Sequence, residues 1–108
     1  MLSLACVIAS ISGGLLMGQE EKAAAGDADK GKETFEQCAA CHSIEAGEKK
    51  MGPSLHGLFK QAKLKNGKKV TDANVKAMIN AGGNGMPAYE DILSDEEKAN
   101  VIAYLKTL

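Results

Sequence analysis

The sequence contains no arginine and no tryptophan, and only 4% of its 108 residues are aromatic. The missing arginine argues against nucleic-acid binding, because proteins that bind nucleic acids usually combine a basic excess with arginine side chains that contact phosphates and bases. The net charge of −1 gives no basic excess either. Few aromatics mean little apolar area for a core, so a single domain of this length is expected to need a disulfide, a metal or a cofactor for stability.

The first nineteen residues carry no charged side chain and are rich in leucine and isoleucine. A short polar stretch and then Ala23-Ala24-Ala25 follow, which is the order of a secretory signal peptide and its cleavage site. We therefore predict a signal peptide over residues 1–25 and one domain over residues 26–108. Export places the domain in the periplasm or another extracytoplasmic compartment. Because no basic residue precedes the apolar run, the alternative is an uncleaved anchor, with residues 1–19 tethering the domain to the outer face of the cytoplasmic membrane.

The pattern of residues 26–108 predicts an all-α fold, since no stretch alternates apolar and polar residues with a period of two. Three helices and a short helical turn are expected at 30–37, 55–59 (the turn), 71–82 and 94–108. Asp27 or Asp29 can cap the first helix, and Ser94 with Glu97 forms a capping box at the start of the last. The run Lys65-Asn66-Gly67-Lys68 predicts a tight turn between the middle segments.

The segment Cys38-Ala39-Ala40-Cys41-His42 carries most of the chemical information. On a helical turn, side chains at i, i+3 and i+4 point the same way, so two thiols and an imidazole face one object. The thiols can add across the two vinyl groups of a haem, and the histidine then lies over the iron as an axial ligand. A disulfide would close a very small loop, a thioredoxin-like pair needs a βαβ unit, and the spacing to His56 differs from zinc-finger patterns. The motif therefore predicts one covalent haem c.

The haem iron would need a second axial ligand besides His42. The candidates are Met51, His56, Met78 and Met86. Met86 precedes Pro87, which favours an extended backbone, and it lies in a glycine-rich loop that lets the backbone approach a flat ligand closely. Met78 lies on the apolar stripe of a helix and is expected in the core, whereas Met51 stays an alternative although it is close to His42 in sequence. We expect His42 and Met86 to be the axial ligands.

Residues 27–108 resemble a class I c-type cytochrome. The resemblance rests on five ordered blocks: Asp29-Lys30-Gly31-Lys32 with Phe35, Cys38-Ala39-Ala40-Cys41-His42, Gly52-Pro53-Ser54-Leu55-His56-Gly57-Leu58-Phe59, Gly85-Met86-Pro87-Ala88-Tyr89 and Val101-Ile102-Ala103-Tyr104-Leu105. It implies a compact monohaem cytochrome c fold, with three main helices and a short helical turn packed around one covalent haem.

The resemblance also implies roles for individual residues. The carbonyl of Pro53 would accept a hydrogen bond from the free ring nitrogen of His42 and fix the orientation of the ring. Gly31 would let the first and last helices cross closely, with Phe35, Val101 and Tyr104 packed at the crossing. His56 would be a buried structural residue that links two loops.

Two strong axial ligands leave no open site on the iron, so we predict a single-electron carrier and not an enzyme. Its partners would be redox proteins of a respiratory or photosynthetic chain, such as a cytochrome complex, an oxidase, a reductase or a reaction centre, and the carrier itself would be a monomer. The alternatives are a haem enzyme or gas sensor with a labile sixth ligand, and a fixed subunit of a larger oxidoreductase. The lysines between Lys60 and Lys76 form a candidate surface for acidic partners, with a merely solvated loop as its alternative.

Overall fold

The computed structural model describes residues 26–108. The signal peptide predicted over residues 1–25, and the anchor that is its alternative, lie outside the described residues and stay predictions. The helices are α1 (Ala28–Phe35), a 3-10 helix (Leu58–Lys60), α2 (Asp72–Ala81) and α3 (Asp95–Leu105). Over residues 26–108 the only sheet-like pairings are two isolated bridges, so the all-α prediction is confirmed. None of the helices in this part of the chain has the length and apolar character needed to cross a bilayer.

The helices begin at side chains that accept hydrogen bonds from otherwise unpaired backbone amides. Asp27 accepts from the amides of Asp29 and Lys30 at 2.9 and 3.2 Å, so α1 begins at Ala28, two residues earlier than expected. Ser94 and Glu97 form the predicted capping box of α3, with reciprocal hydrogen bonds of 3.0 and 3.1 Å. Such caps contribute about 1 kcal/mol each. The two helix starts are therefore determined by residues next to them in sequence.

The short helical turn was expected at 55–59, but the 3-10 helix covers Leu58–Lys60. The amide of Leu55 donates to the carbonyl of Ser43 at 2.8 Å, so this residue belongs to a contact between loops. Gly57 has a φ of +66°, in the left-handed region, so a right-handed helical turn cannot run through this residue. The helical turn can therefore begin only after Gly57.

Helix α1 packs across α3 with almost no space between the two backbones. A Cβ atom at Gly31 would lie 1.9 Å from the carbonyl oxygen of Asn100, so only glycine permits this crossing. The rings of Phe35 and Tyr104 have centroids 5.4 Å apart, and Val101 beside them is 2% exposed. The close crossing at Gly31 is confirmed, and Phe35 at the end of α1 is buried in the core.

The predicted turn at Lys65-Asn66-Gly67-Lys68 is the tip of a small hairpin. Lys63 pairs with Lys69 across it, and Leu64 donates from its amide to the carbonyl of Lys68 at 2.8 Å. Gly67 has a φ of +83°, which the turn requires. The side chain of Leu64 is buried against the core and holds the hairpin on the protein. We call residues 60–69, which contain five exposed lysines, the lysine hairpin.

Candidate functional site

The segment from Cys38 to His42 continues from α1 as tight turns. The amide of Cys38 donates to the carbonyl of Phe35 at 2.8 Å, and the amides of Cys41 and His42 both donate to the carbonyl of Cys38, at 3.1 and 3.0 Å. These bonds wind the motif as one helical turn, which brings the side chains at i, i+3 and i+4 to one side. Cys38, Cys41 and His42 are all half-buried, and both thiols are free.

The backbone of Gly52 and Pro53 fixes the imidazole of His42. Its Nδ1 lies 2.8 Å from the carbonyl oxygen of Pro53, and because a carbonyl can only accept, Nδ1 carries the proton. The amide of Gly52 donates to the carbonyl of Cys41 at 2.7 Å and brings the loop against the ring. A Cβ at Gly52 would lie 2.5 Å from Cε1 of His42. The other ring nitrogen, Nε2, therefore keeps its lone pair for a ligand.

The loop that follows α2 carries Met86 in a tight backbone arrangement. Gly83 and Met86 exchange two backbone hydrogen bonds of 2.9 and 3.0 Å, while Asn84 and Gly85 between them both have positive φ. The amide of Tyr89 donates to the carbonyl of Ile79 at 2.9 Å and ties the end of this turn to α2. Met86 is half-buried and packs against the core together with Cys38.

The other candidate ligands lie in different environments. Met51 is 84% exposed. Met78 is half-buried on α2 and packs against the core, as its position on an apolar stripe predicted. His56 links two loops through its Nδ1, 3.2 Å from the carbonyl oxygen of Ile44. The expectation that His56 is buried was wrong, because these loops run over the surface and leave it exposed.

Two groups of the site have raised pKa values. Burial raises the pKa of the Cys38 thiol. The pKa of Tyr89 is raised first by burial and then by the negative charges that Cys38 and Cys41 would carry as thiolates. The phenol of Tyr89 therefore lies within electrostatic range of both thiols. Met86 and Cys38 also pack against the same cluster of buried residues.

Sequence reasoning missed two further residues of the site. Tyr89 was noted only within a block of resemblance, and no pattern in the chain indicates that charges on Cys38 and Cys41 would raise its pKa. Lys50 donates from Nζ to the carbonyl of Ala39 at 3.1 Å, inside the Cys38–His42 segment. Lys50 and Ala39 are eleven positions apart, and Tyr89 is farther still from the cysteines along the chain. Local spacing could not have predicted them.

The donor atoms suit a haem better than a bare metal ion. Two thiols three residues apart match two vinyl groups, and imidazole and thioether are the axial ligands found in cytochromes c. Over residues 26–108, no group of three or more histidine, cysteine or acidic side chains is placed to hold a metal ion. The backbone carbonyl that fixes His42 is the usual outer partner of a ligating histidine.

Comparison with known proteins identifies the family. A family model described as cytochrome c oxidase, cbb3-type, subunit III matches residues 26–105. The chain is 35% identical over 94 residues to cytochrome c2 of Rhodoplanes tepidamans, an alignment that covers 68% of this chain and 93% of that protein. This chain belongs to the class I c-type cytochromes. Cytochrome c2 iso-1 of Magnetospirillum molischianum is 36% identical over 99 residues, covering 75% of this chain and 99% of the relative.

Solved structures agree with this placement of the cytochrome. Cytochrome c6 from the diatom Phaeodactylum tricornutum superimposes with a TM-score of 0.61 at 33% identity, covering 76% of this chain and 93% of that one. Cytochrome cH from Methylobacterium extorquens gives a TM-score of 0.53 at 29% identity, covering 77% and 100%. The compact monohaem cytochrome c fold is confirmed. As a member of the family, the protein binds one covalent haem c with its iron, and it is an electron carrier and not an enzyme.

Proposed function

We propose that this c-type cytochrome carries single electrons between redox proteins through a haem attached at Cys38 and Cys41, with His42 and Met86 as the axial ligands. The observation that carries the proposal is the imidazole of His42, which is oriented by the Pro53 carbonyl and the Gly52 backbone with Nε2 left free. When bound, the haem supplies a one-electron couple between ferric and ferrous iron. The residues of the chain hold the ligands still and exclude competing ligands.

His42 would supply a ligand to the iron, and the hydrogen bond to its ring would tune how strongly that ligand donates electrons. The hydrogen bond from Nδ1 to the Pro53 carbonyl makes the imidazole a stronger electron donor and prevents rotation of the ring. Gly52 packs against the ring so closely that a side chain there would displace it. A ligand fixed in this way keeps nearly the same geometry in both oxidation states, which keeps the reorganisation on electron transfer small.

Met86 is the candidate for the opposite axial position for two structural reasons. It is half-buried against the same core cluster as Cys38, and the paired hydrogen bonds with Gly83 hold its backbone in place. The alternative Met51 is 84% exposed, and Met78 lies within α2 and not in the glycine-rich loop that lets the backbone approach a flat ligand. A soft thioether ligand favours ferrous iron and raises the reduction potential. It also occupies the position where oxygen or peroxide would otherwise bind.

The partners we propose are redox proteins with an acidic docking face. All five lysines of the lysine hairpin are exposed, and within residues 26–108 none of them forms an ion pair. Lys76, which the sequence placed in the same group, is instead 3.3 Å from Asp95 on α3. The docking surface that we propose is therefore the lysine hairpin, residues 60–69, without Lys76. Exposed charge of one sign speeds encounters that must be brief, as between electron carriers.

A second candidate function is a haem subunit fixed in a terminal oxidase. The family model that matches residues 26–105 is described by an oxidase subunit, which favours this reading. The two cytochrome c2 relatives favour the mobile carrier, since the alignments cover 93% and 99% of their own lengths. We propose a monomeric carrier in the periplasm, or one that residues 1–19 tether to the outer face of the cytoplasmic membrane. Fractionation of cells with gel filtration of the haem protein tests this choice, since an oxidase subunit would elute with the membrane complex.

The axial ligands are tested by adding carbon monoxide to the reduced haem protein. We expect the wild type to bind it slowly or not at all, and Met86→Ala to bind it readily and to have a lower reduction potential. Met51→Ala is the matched control, because its 84% exposed side chain should leave both properties unchanged. Fast binding to the wild type would support a sensor or enzyme, and an unchanged Met86→Ala protein would refute the assignment of Met86.

A further inference from the structure

A buried lysine lies behind the loop that carries Met86. Lys98 on α3 is only 3% exposed, and its Nζ donates to the backbone carbonyl of Glu90 at 2.9 Å. The nearest carboxylate is Asp95 at 3.8 Å, and that group is 84% exposed and lies closer to Lys76. Lysine is almost never fully buried unless it is paired. The main hydrogen-bond partner of the Lys98 ammonium is therefore the Glu90 carbonyl in the loop. Movement of the loop would leave a buried charge without this partner.

The hydrogen bond to Glu90 completes a set of contacts that hold the loop after α2. The amide of Tyr89 donates to Ile79 on α2 at 2.9 Å, and the amide of Leu93 donates to the carbonyl of Tyr89 at 3.1 Å. Leu93 is buried in the core at 5% exposure. Lys98 adds the connection to α3. Glu90 is four residues from Met86, so the connection acts on the segment whose movement would carry Met86 away from the site.

We propose that Lys98 is a positioning residue for Met86, which keeps the Met86 loop closed over the site. The inference rests on the proposed function, in which Met86 is an axial ligand. When the hydrogen bond to Glu90 is absent, the loop opens more often and Met86 leaves its place more easily. An outside ligand that competes with Met86 can bind only to the open form, so its apparent affinity reports the fraction of open molecules.

The test is a titration of the oxidised haem protein with imidazole. Lys98→Met keeps most of the aliphatic side chain and removes the charged donor. We expect imidazole to bind this variant about 10- to 100-fold more tightly than the wild type, the range expected for losing a hydrogen bond from a charged group. Lys98→Arg keeps a charged donor and should restore affinity toward the wild-type value. The red charge-transfer band of a sulfur–iron bond should weaken in Lys98→Met in parallel.

A matched control separates positioning from general stability. Val101→Ala removes packing at the crossing of α1 and α3, away from the Met86 loop, and should lower the free energy of unfolding without changing imidazole affinity. If Lys98→Met binds imidazole no more tightly than Val101→Ala does, the inference is wrong. If Lys98→Met does not fold, Lys98→Gln gives the same comparison with a polar replacement. A wild-type protein without the sulfur–iron band would instead overturn the axial role of Met86, and the inference with it.

Discussion

Replacing Gly31 by alanine is the most direct test of the close helix crossing. The added Cβ would lie 1.9 Å from the carbonyl oxygen of Asn100, 2.5 Å from its carbon and 2.9 Å from Cβ of Tyr104. Real Cβ atoms do not approach other atoms within 3.0 Å, so α1 and α3 must move apart. The contacted atoms are backbone or begin a side chain, so rotation of a side chain cannot relieve the clash. The packing of Phe35 on Tyr104 would loosen with the crossing.

The expected magnitude follows from two opposing effects. Overpacking costs about 1–3 kcal/mol, and this backbone clash belongs at the upper end. Alanine gains about 1 kcal/mol over glycine in a helix interior. The movement would also stretch the hydrogen bond from the amide of Asp27 to Oδ1 of Asn100, now 2.8 Å long. We expect Gly31→Ala to lower the free energy of unfolding by about 2 kcal/mol, because the lost packing outweighs the gain in helix propensity.

The measurement is denaturant unfolding of the haem protein, followed by far-UV circular dichroism. Glu33→Ala, on the exposed side of the same helix, is the control and should change the free energy of unfolding by less than about 0.5 kcal/mol. A Gly31→Ala protein as stable as this control would show that the helices can separate without cost, and the argument from the crossing would fail.

Two further changes test the site and the docking surface. Gly52→Ala would place a Cβ 2.5 Å from Cε1 of His42, so the imidazole ring must move. We then expect the Nδ1 proton to exchange with solvent up to about 10-fold faster, as measured by NMR. The control Met51→Ala changes an exposed side chain and should leave this exchange rate unchanged. Reversing two charges of the lysine hairpin with Lys65→Glu and Lys68→Glu should slow electron transfer to an acidic partner protein and flatten its dependence on ionic strength. If the electron-transfer rate, measured by stopped flow, changes neither with ionic strength nor with these substitutions, docking at the hairpin is refuted.

The helices were predictable because the signals that determine them are local. Ser94 and Glu97, three residues apart, form the capping box in the structure, and Gly67 adopts the positive φ that the predicted turn requires. One error arose where a contact between two loops overrode the local pattern. The turn expected at 55–59 begins after Gly57 because Leu55 is held by Ser43 across the surface loops.

The charged residues show a further limit of sequence reasoning. The sequence grouped Lys76 with the lysines before it, but α2 turns its side chain toward Asp95 on α3. Lys98 reads as an ordinary solvent-exposed lysine, yet it is buried and donates to the loop that carries Met86. The side a helix presents to a neighbouring loop depends on how the helices pack, which no spacing along the chain encodes.

The sequence alone determined that two thiols and an imidazole lie on one helical turn, because they stand at positions i, i+3 and i+4 within residues 38–42. It also determined the helix starts and the hairpin turn, which depend on neighbouring residues. Only the tertiary structure decided that Nδ1 of His42 bonds to the Pro53 carbonyl, that His56 is exposed and that the buried Lys98 donates to the carbonyl of Glu90. These contacts join residues that the packing of α1, α2 and α3 brings together, and packing depends on the shapes of all the buried side chains at once.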